Sequence, residues 1–386
     1  MDRSSIPQFL SELNKHNALR KRSIVQSPQG VKVIVNGQRL LSFCSNDYLG
    51  LANDARICRS AIEAIDQYGL GSGASQLISG YSSEHYALEE ELSEFLGYPR
   101  CVLFSSGYLA NMGVLSAFSA ADTLLLQDKL NHASLIDAAI NSSGTLKRYH
   151  HADTTHAEKI LEQNRTKSPI IISDGVFSME GSIAPLASIC QLKNTYSGMA
   201  IIDDAHGIGV LGKYGRGSLE HLNIDSCNVD LLIGTFGKAF GSSGAFVAGD
   251  TDVIEYLIQT ARTLIFTTAA PAALAAASRQ SLKIIIDEPE RRERLHRNIA
   301  YFKMQIADTK FKLLPSETAI QSIIIGSNKH ALDVSHQLLG SGLLVSAIRP
   351  PTVPKNTSRL RITLCSEHTL GHIDQLIEAL RKIELN

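Results

Sequence analysis

The chain has 386 residues, 44% hydrophobic and 19% charged, which excludes a disordered or fibrous polymer and suggests two domains. With 37 Lys and Arg against 38 Asp and Glu the net charge is −1, which argues against general nucleic-acid binding. The cysteines at 44, 58, 101, 190, 227 and 365 form no CxxC pair, which removes zinc ribbons and thioredoxin motifs and suits a reducing cytoplasm.

Ile6, Phe9, Leu10 and Leu13 follow helical spacing, so the N-terminal stretch reads as an amphipathic helix, without the continuous apolar region of a secretion signal. VKVIV (31–35) and LLSF (40–43) flank Asn36-Gly37, a strong hairpin signal. These pieces define an N-terminal segment, 1–50. From 51 to 287 short apolar runs alternate with helical patterns such as 84–96 and 107–119. CVLF (101–104), TLLL (123–126), PIIIS (169–173), MAIIDD (199–204), DLLIGTF (230–236) and GAFVAG (244–249) read as strands buried on both faces. The expectation is an α/β domain around a mostly parallel sheet. Leu264 to Ala277 is the most apolar run and is too short to span a bilayer, so a cytoplasmic protein is expected. The charged run DEPERRERLHRN (287–298) reads as a solvated helix face. IQSIIIG (320–326), LLVSAI (343–348), RLRITL (359–364) and a helical pattern over 370–383 then predict a small α+β domain, 288–386.

Gly207-Ile-Gly209-Val-Leu-Gly212 matches GxGxxG, but KYGRGS follows it where a nucleotide-binding helix should open, so a glycine-rich turn is the better reading. Asp203 and Asp204 end an apolar strand, where ligands of parallel sheets bind, although a helix cap or turn is an equal alternative for either. In GTFGKAFGSSG (234–244) one lysine, Lys238, stands among glycines after an apolar strand; desolvation there makes an amine nucleophilic. An acid and a buried lysine on neighbouring strands suit pyridoxal phosphate (PLP), which needs an amine for its aldehyde and a carboxylate for its pyridine nitrogen. SSGYLAN (105–111) offers a serine-glycine turn leading into a helix, suited to the phosphate.

SNDYLGL (45–51), GSGASQLISGY (71–81), NHASLIDA (131–138), DGVFSMEG (174–181), DDAHGIGVLGKYGRG (203–217), TFGKAFGSSG (235–244) and IRPPTVP (348–354), in this order, resemble the α-oxoamine synthases. These are fold-type I PLP enzymes that condense an amino acid with an acyl thioester and release CO2. The resemblance implies a homodimer of chains, each with a large PLP-binding domain and a small C-terminal α+β domain. It implies that Lys238 carries PLP as a Schiff base, that Asp203 pairs with the pyridinium and that Asp204 is structural. His206 would meet the ring's phenolic oxygen and His132 would stack on its face, although His132 alone equally suits a helix cap. Gly107, Tyr108, Ser178 and Thr235 would bind phosphate, with Thr267 and Thr268 reaching it from the other subunit. Arg349 would clamp the amino-acid carboxylate near Asn46, and Arg20 and Thr352 would touch substrate; Arg20 equally fits a solvated basic run. The implied site holds no metal. IRPPTVP and the Gly-Tyr of ISGYSSEH narrow the resemblance to the branch that joins L-alanine to a pimeloyl thioester, on CoA or acyl carrier protein, in biotin biosynthesis. Glycine C-acetyltransferase and 5-aminolevulinate synthase are the alternative branches. Ile208 stands where many members have Thr, and Gln76 where Arg or Gly is common, a change expected to bear on the acyl channel.

Overall fold

The computed structural model describes Asp2–Ile383 and divides into two compact units. The larger comprises residues 51–178 and 182–292; the smaller comprises 1–50, 179–181 and 293–386.

The larger unit is built on a seven-stranded sheet. Its spatial order is Arg100–Phe104, Ala245–Gly249, Leu231–Thr235, Met199–Asp203, Ser168–Asp174, Thr123–Asp128 and Thr145–Tyr149. Ala245–Gly249 is antiparallel to both neighbours and the remaining pairs are parallel. The exception has a local cause: residues 236–244 are too few for a crossover helix, so the chain turns back beside the strand it has just left. Burial along the inner strands is continuous, as their unbroken apolar runs require. Val102, Ile172, Ile201, Ile233 and Val247 pack there with Ala110, Val114 and Leu115 of the helix Gly107–Phe118.

The register sets up the site. Asp174 pairs with Asp203, and Phe104, Ala245 and Thr235 lie in one row. The carboxyl ends of five parallel strands and the end of Arg100–Phe104 therefore share one sheet edge, and the turns leaving them start together.

Arg100–Phe104 is an outer strand, and side chains take up its open backbone. Leu103 N donates to Glu89 Oε1 at 3.0 Å, and Gln76 Nε2 donates to Leu103 O at 3.0 Å. Gln76 is thus tied to the sheet margin, which protects it from pairing with another chain. Glu89 also accepts from the Tyr81 hydroxyl. Burial outweighs both hydrogen bonds and pushes its carboxyl up to about 7 from the usual 4.5. The unfolded chain ionises first, so this group lowers stability as pH rises from 4.5 to about 7. Glu89→Gln keeps an acceptor for Leu103 and gains a donor for Tyr81. Urea unfolding at pH 5 and pH 8 is expected to show the variant gaining on the parent by about 2 kcal/mol at the higher pH. An offset independent of pH would contradict this reading.

In the smaller unit Lys32–Val35 and Gln38–Ser42 form the expected hairpin. Asn36 and Gly37 both have positive φ (50° and 80°), the requirement of a tight two-residue turn. LLVSAI does not form one strand: Leu343–Leu344 runs parallel to Gln38–Ser42, and Ser346–Ile348 joins Ser358–Thr363 in a sheet with Ile320–Gly326. The chain changes sheets at Val345, which is buried. The charged run is more than a solvated face. Its helix, Glu290–Ile306, buries Leu295, Ile299, Phe302 and Ile306 in a helical stripe. At the larger unit's end, the buried Arg292 donates to Ile285 O and Lys213 O.

Candidate active site

The turns at the carboxyl edge of the large sheet enclose a cavity of about 190 Å3, lined by Gly107, Tyr108, Asn111, His132, Ser134, Asp174, Ser178, Asp203, Ala205, His206, Thr235 and Lys238. Gly107 opens the helix Gly107–Phe118, whose cap, Ser106, accepts from Leu109 N. A side chain at Gly107 would meet nothing within 4 Å, so its backbone N–H stands at the helix's positive end beside open space. Tyr108 is half exposed, and its hydroxyl donates to Asp137.

Asp203 ends its strand buried, and each oxygen has a partner. Oδ2 accepts from Asn111 Nδ2 at 2.7 Å and Oδ1 from Ala205 N at 3.1 Å. Asp204, one residue on, lies outside the cavity lining and is fully buried, accepting from Ser218 N at 2.6 Å. A Cβ at Gly175, Gly207 or Gly217 would come within 2.4 Å of its carboxyl oxygens, so these three positions need glycine to enclose it. Burial pushes Asp204 up to about 7. Asp174 is raised well above the usual range by burial and by the charge of Asp203.

His132 is the cap of the helix Ala133–Ile140, and its backbone N–H donates to Asp174 Oδ2 at 3.0 Å. By surface area the residue is exposed, yet its ring is crowded by the cavity wall, and that crowding lowers its pKa. Asp203 opposes the shift and Lys238 adds to it. His206 follows Asp203 in a turn and is buried. Residues 205–210 form turns, and the next helix is Ser218–His221, so the GxGxxG glycines open no helix.

Lys238 sits in the short connection between Leu231–Thr235 and Ala245–Gly249. Thr235 Oγ1 braces that connection, donating to Gly244 O at 2.9 Å and accepting from Gly237 N at 3.2 Å. Gly241 has φ 63°, and a Cβ there would lie 2.3 Å from Ala52 N, so the connection closes only around glycine. Asn111, Ser134 and Asp174 belong to the cavity but escaped the sequence reading. Asn111 was accessible in principle, because it lies one helical turn after Gly107.

The other expected residues do not line this cavity. Thr267 is half-buried; Thr268 is exposed and bridges to Ser75. In the smaller unit, Arg20 Nη2 donates to Thr352 Oγ1 at 3.2 Å, and Arg349 donates to Asn17 O. Burial and the nearby Arg20 charge lower the Arg349 pKa. Asn46 accepts from the buried Arg361 at 3.1 Å.

The donor set of the cavity fits PLP. It has an amine for the aldehyde, an acid held by two hydrogen bonds for the ring nitrogen, and a helix start for the phosphate. Comparison with known proteins leads the same way. Residues 38–380 match the family model for aminotransferases of class I and II. The 8-amino-7-oxononanoate synthase of Methylococcus capsulatus is 48% identical, with 96% of each chain covered. A solved structure of SPT with PLP superposes with a TM-score of 0.94 at 26% identity, covering 99% of this chain and 98% of the other. The 8-amino-7-oxononanoate synthase of Francisella tularensis superposes with a TM-score of 0.79 at 32% identity, covering 89% and 97%. Among the described residues no helix is long and apolar enough to cross a membrane.

Proposed function

The chain belongs to the class I and II aminotransferase family, with the 8-amino-7-oxononanoate synthases among its relatives, and on that premise we propose that it is a PLP-dependent acyltransferase of biotin biosynthesis. It condenses L-alanine with a pimeloyl thioester, releasing CO2 and the thiol and forming 8-amino-7-oxononanoate. The observation that carries this reading is one cavity holding Lys238, Asp203, His132 and His206 together.

When bound, PLP supplies an aldehyde that takes up the amine and a ring that draws electrons from the amino acid's Cα. Lys238 Nζ would hold that aldehyde and would serve as the base for the Cα proton. Asp203 would keep a proton on the ring nitrogen through its carboxylate, His206 would hold the ring through its phenolic oxygen, and His132 would stand beside the ring. Gly107, Tyr108, Ser178 and Thr235 hold the phosphate. Arg349 matches the alanine carboxylate with its planar fork, aided by Asn46, and Arg20 and Thr352 meet the acyl substrate. The test is thiol release across pairs of amino acid and thioester. Alanine with pimeloyl-CoA should be fastest; one methyl is worth about 1–3 kcal/mol, so slow use of glycine is expected. Faster turnover of glycine with acetyl-CoA or succinyl-CoA would move the chain to a sister branch.

The working form is a homodimer in which Thr267 and Thr268 reach the partner's phosphate. A Lys238→Ala chain and a chain with both threonines changed to Ala should each be impaired alone. Mixed, they should regain part of the activity, because some hybrid sites have every group. Mixtures no more active than the separate chains would contradict sharing.

A further inference from the structure

Three hydrogen bonds join Asp203 to His132. Asn111 Nδ2 donates to Asp203 Oδ2 at 2.7 Å and to Ser134 Oγ at 2.8 Å, and Ser134 Oγ lies 2.7 Å from His132 Nδ1. Their directions follow from chemistry. Asn111 turns its NH2 group toward Asp203 Oδ2, and the second hydrogen of that group goes to Ser134. The Ser134 oxygen takes that hydrogen on one lone pair, which leaves its own single hydrogen free for His132 Nδ1, 2.7 Å away. Ser134 N also donates to Nδ1, at 3.3 Å. Two donors converge on Nδ1, which therefore carries no proton, and a neutral ring must carry its proton on Nε2. Asn111 and Ser134 are both about 1% exposed, so water does not compete for these bonds. The lowered pKa of His132 agrees with this arrangement.

We propose that Asn111 and Ser134 are positioning residues that hold His132 neutral with its proton on Nε2, so that the imidazole serves the reaction as a hydrogen-bond donor and not as a base. This deepens the function proposed above and rests on it. It leaves Cα proton removal to Lys238 and gives His132 the task of donating to a carboxylate or carbonyl oxygen of the reacting molecules.

The test is nitrogen NMR of histidine-labelled protein bearing PLP, with the His132 signals assigned by their loss in His132→Asn. The parent should show Nδ1 unprotonated and Nε2 protonated from pH 6 to pH 8. Ser134→Ala should mix the tautomers and raise the ring's proton affinity about tenfold, the worth of one ordinary hydrogen bond. It should lower kcat with little change in the KM for alanine, and Ser134→Thr, which keeps the hydroxyl, should restore both readouts. A proton on Nδ1 in the parent overturns the proposal, even if the variants do not fold; so does an unchanged His132 tautomer in Ser134→Ala. The NMR readout is independent of turnover: a protein with this tautomer that does not condense alanine would sink the proposed function and leave the relay standing.

Discussion

Lys238→Ala is expected to reduce turnover by at least about 10^4-fold, because the proposed chemistry gives one amine two tasks. The methyl group can neither hold the aldehyde nor move the Cα proton. The loss should lie in the site and leave the fold intact. Lys238 stands in a connection braced by Thr235 and by the close approach of Gly241 to Ala52, and neither depends on the amine. Borohydride treatment of the parent should attach PLP to the peptide containing Lys238, and the variant should bind PLP reversibly with no label. A label on another lysine, or turnover within about tenfold of the parent, would remove Lys238 from its role.

Asp203→Asn is expected to keep the fold and lose a hundredfold or more in rate, about 3 kcal/mol or upward. The amide is the same size; its one oxygen can still accept from Ala205 N, and its NH2 group can donate to Asn111 once that amide turns its oxygen to face it. It cannot stabilise a proton on a pyridine nitrogen, so the electron demand on Cα falls. Asp204→Asn should cost less, because that carboxyl is enclosed by Gly175, Gly207 and Gly217, accepts from Ser218 N and lies outside the cavity lining. Single-turnover rates at saturating PLP separate the two. A worse defect in Asp204→Asn would show that the wrong acid has been assigned.

Much of the sheet could be read from sequence, because a strand buried on both faces must be apolar throughout. Runs such as PIIIS and MAIID have no other use in a chain of this composition. Thr145–Tyr149 was not legible. It lies at the margin, leaves Lys147 exposed and buries only Tyr149 fully, so its residues show no continuous apolar run. Val345 escaped for another reason: LLVSAI has the composition of one strand, and only the positions of two partner strands divide it. The helix Glu290–Ile306 was visible as charge, whereas its buried stripe begins inside the charged run at Leu295 and continues beyond it.

The site shows the same division. Lys238 among glycines, and the acids ending an apolar strand, are local patterns that carry chemistry. Asn111, Ser134 and Asp174 are ordinary residues whose importance comes from what lies across the cavity. Asp174 becomes a neighbour of Asp203 only through strand register. Gln76 stood out only as a departure from the family pattern; that its side chain closes a sheet margin depends on Leu103, a partner 27 residues away.

The central claim, decarboxylative condensation by this cavity, is tested most directly by following the carboxyl carbon of alanine. With carboxyl-labelled L-alanine, pimeloyl-CoA and PLP, the label should leave as CO2 in step with free CoA, one for one. The amino ketone formed should carry none of it. Label retained in pyruvate, with the amino group passed to a keto acid and no CoA released, would show amino transfer and contradict the account.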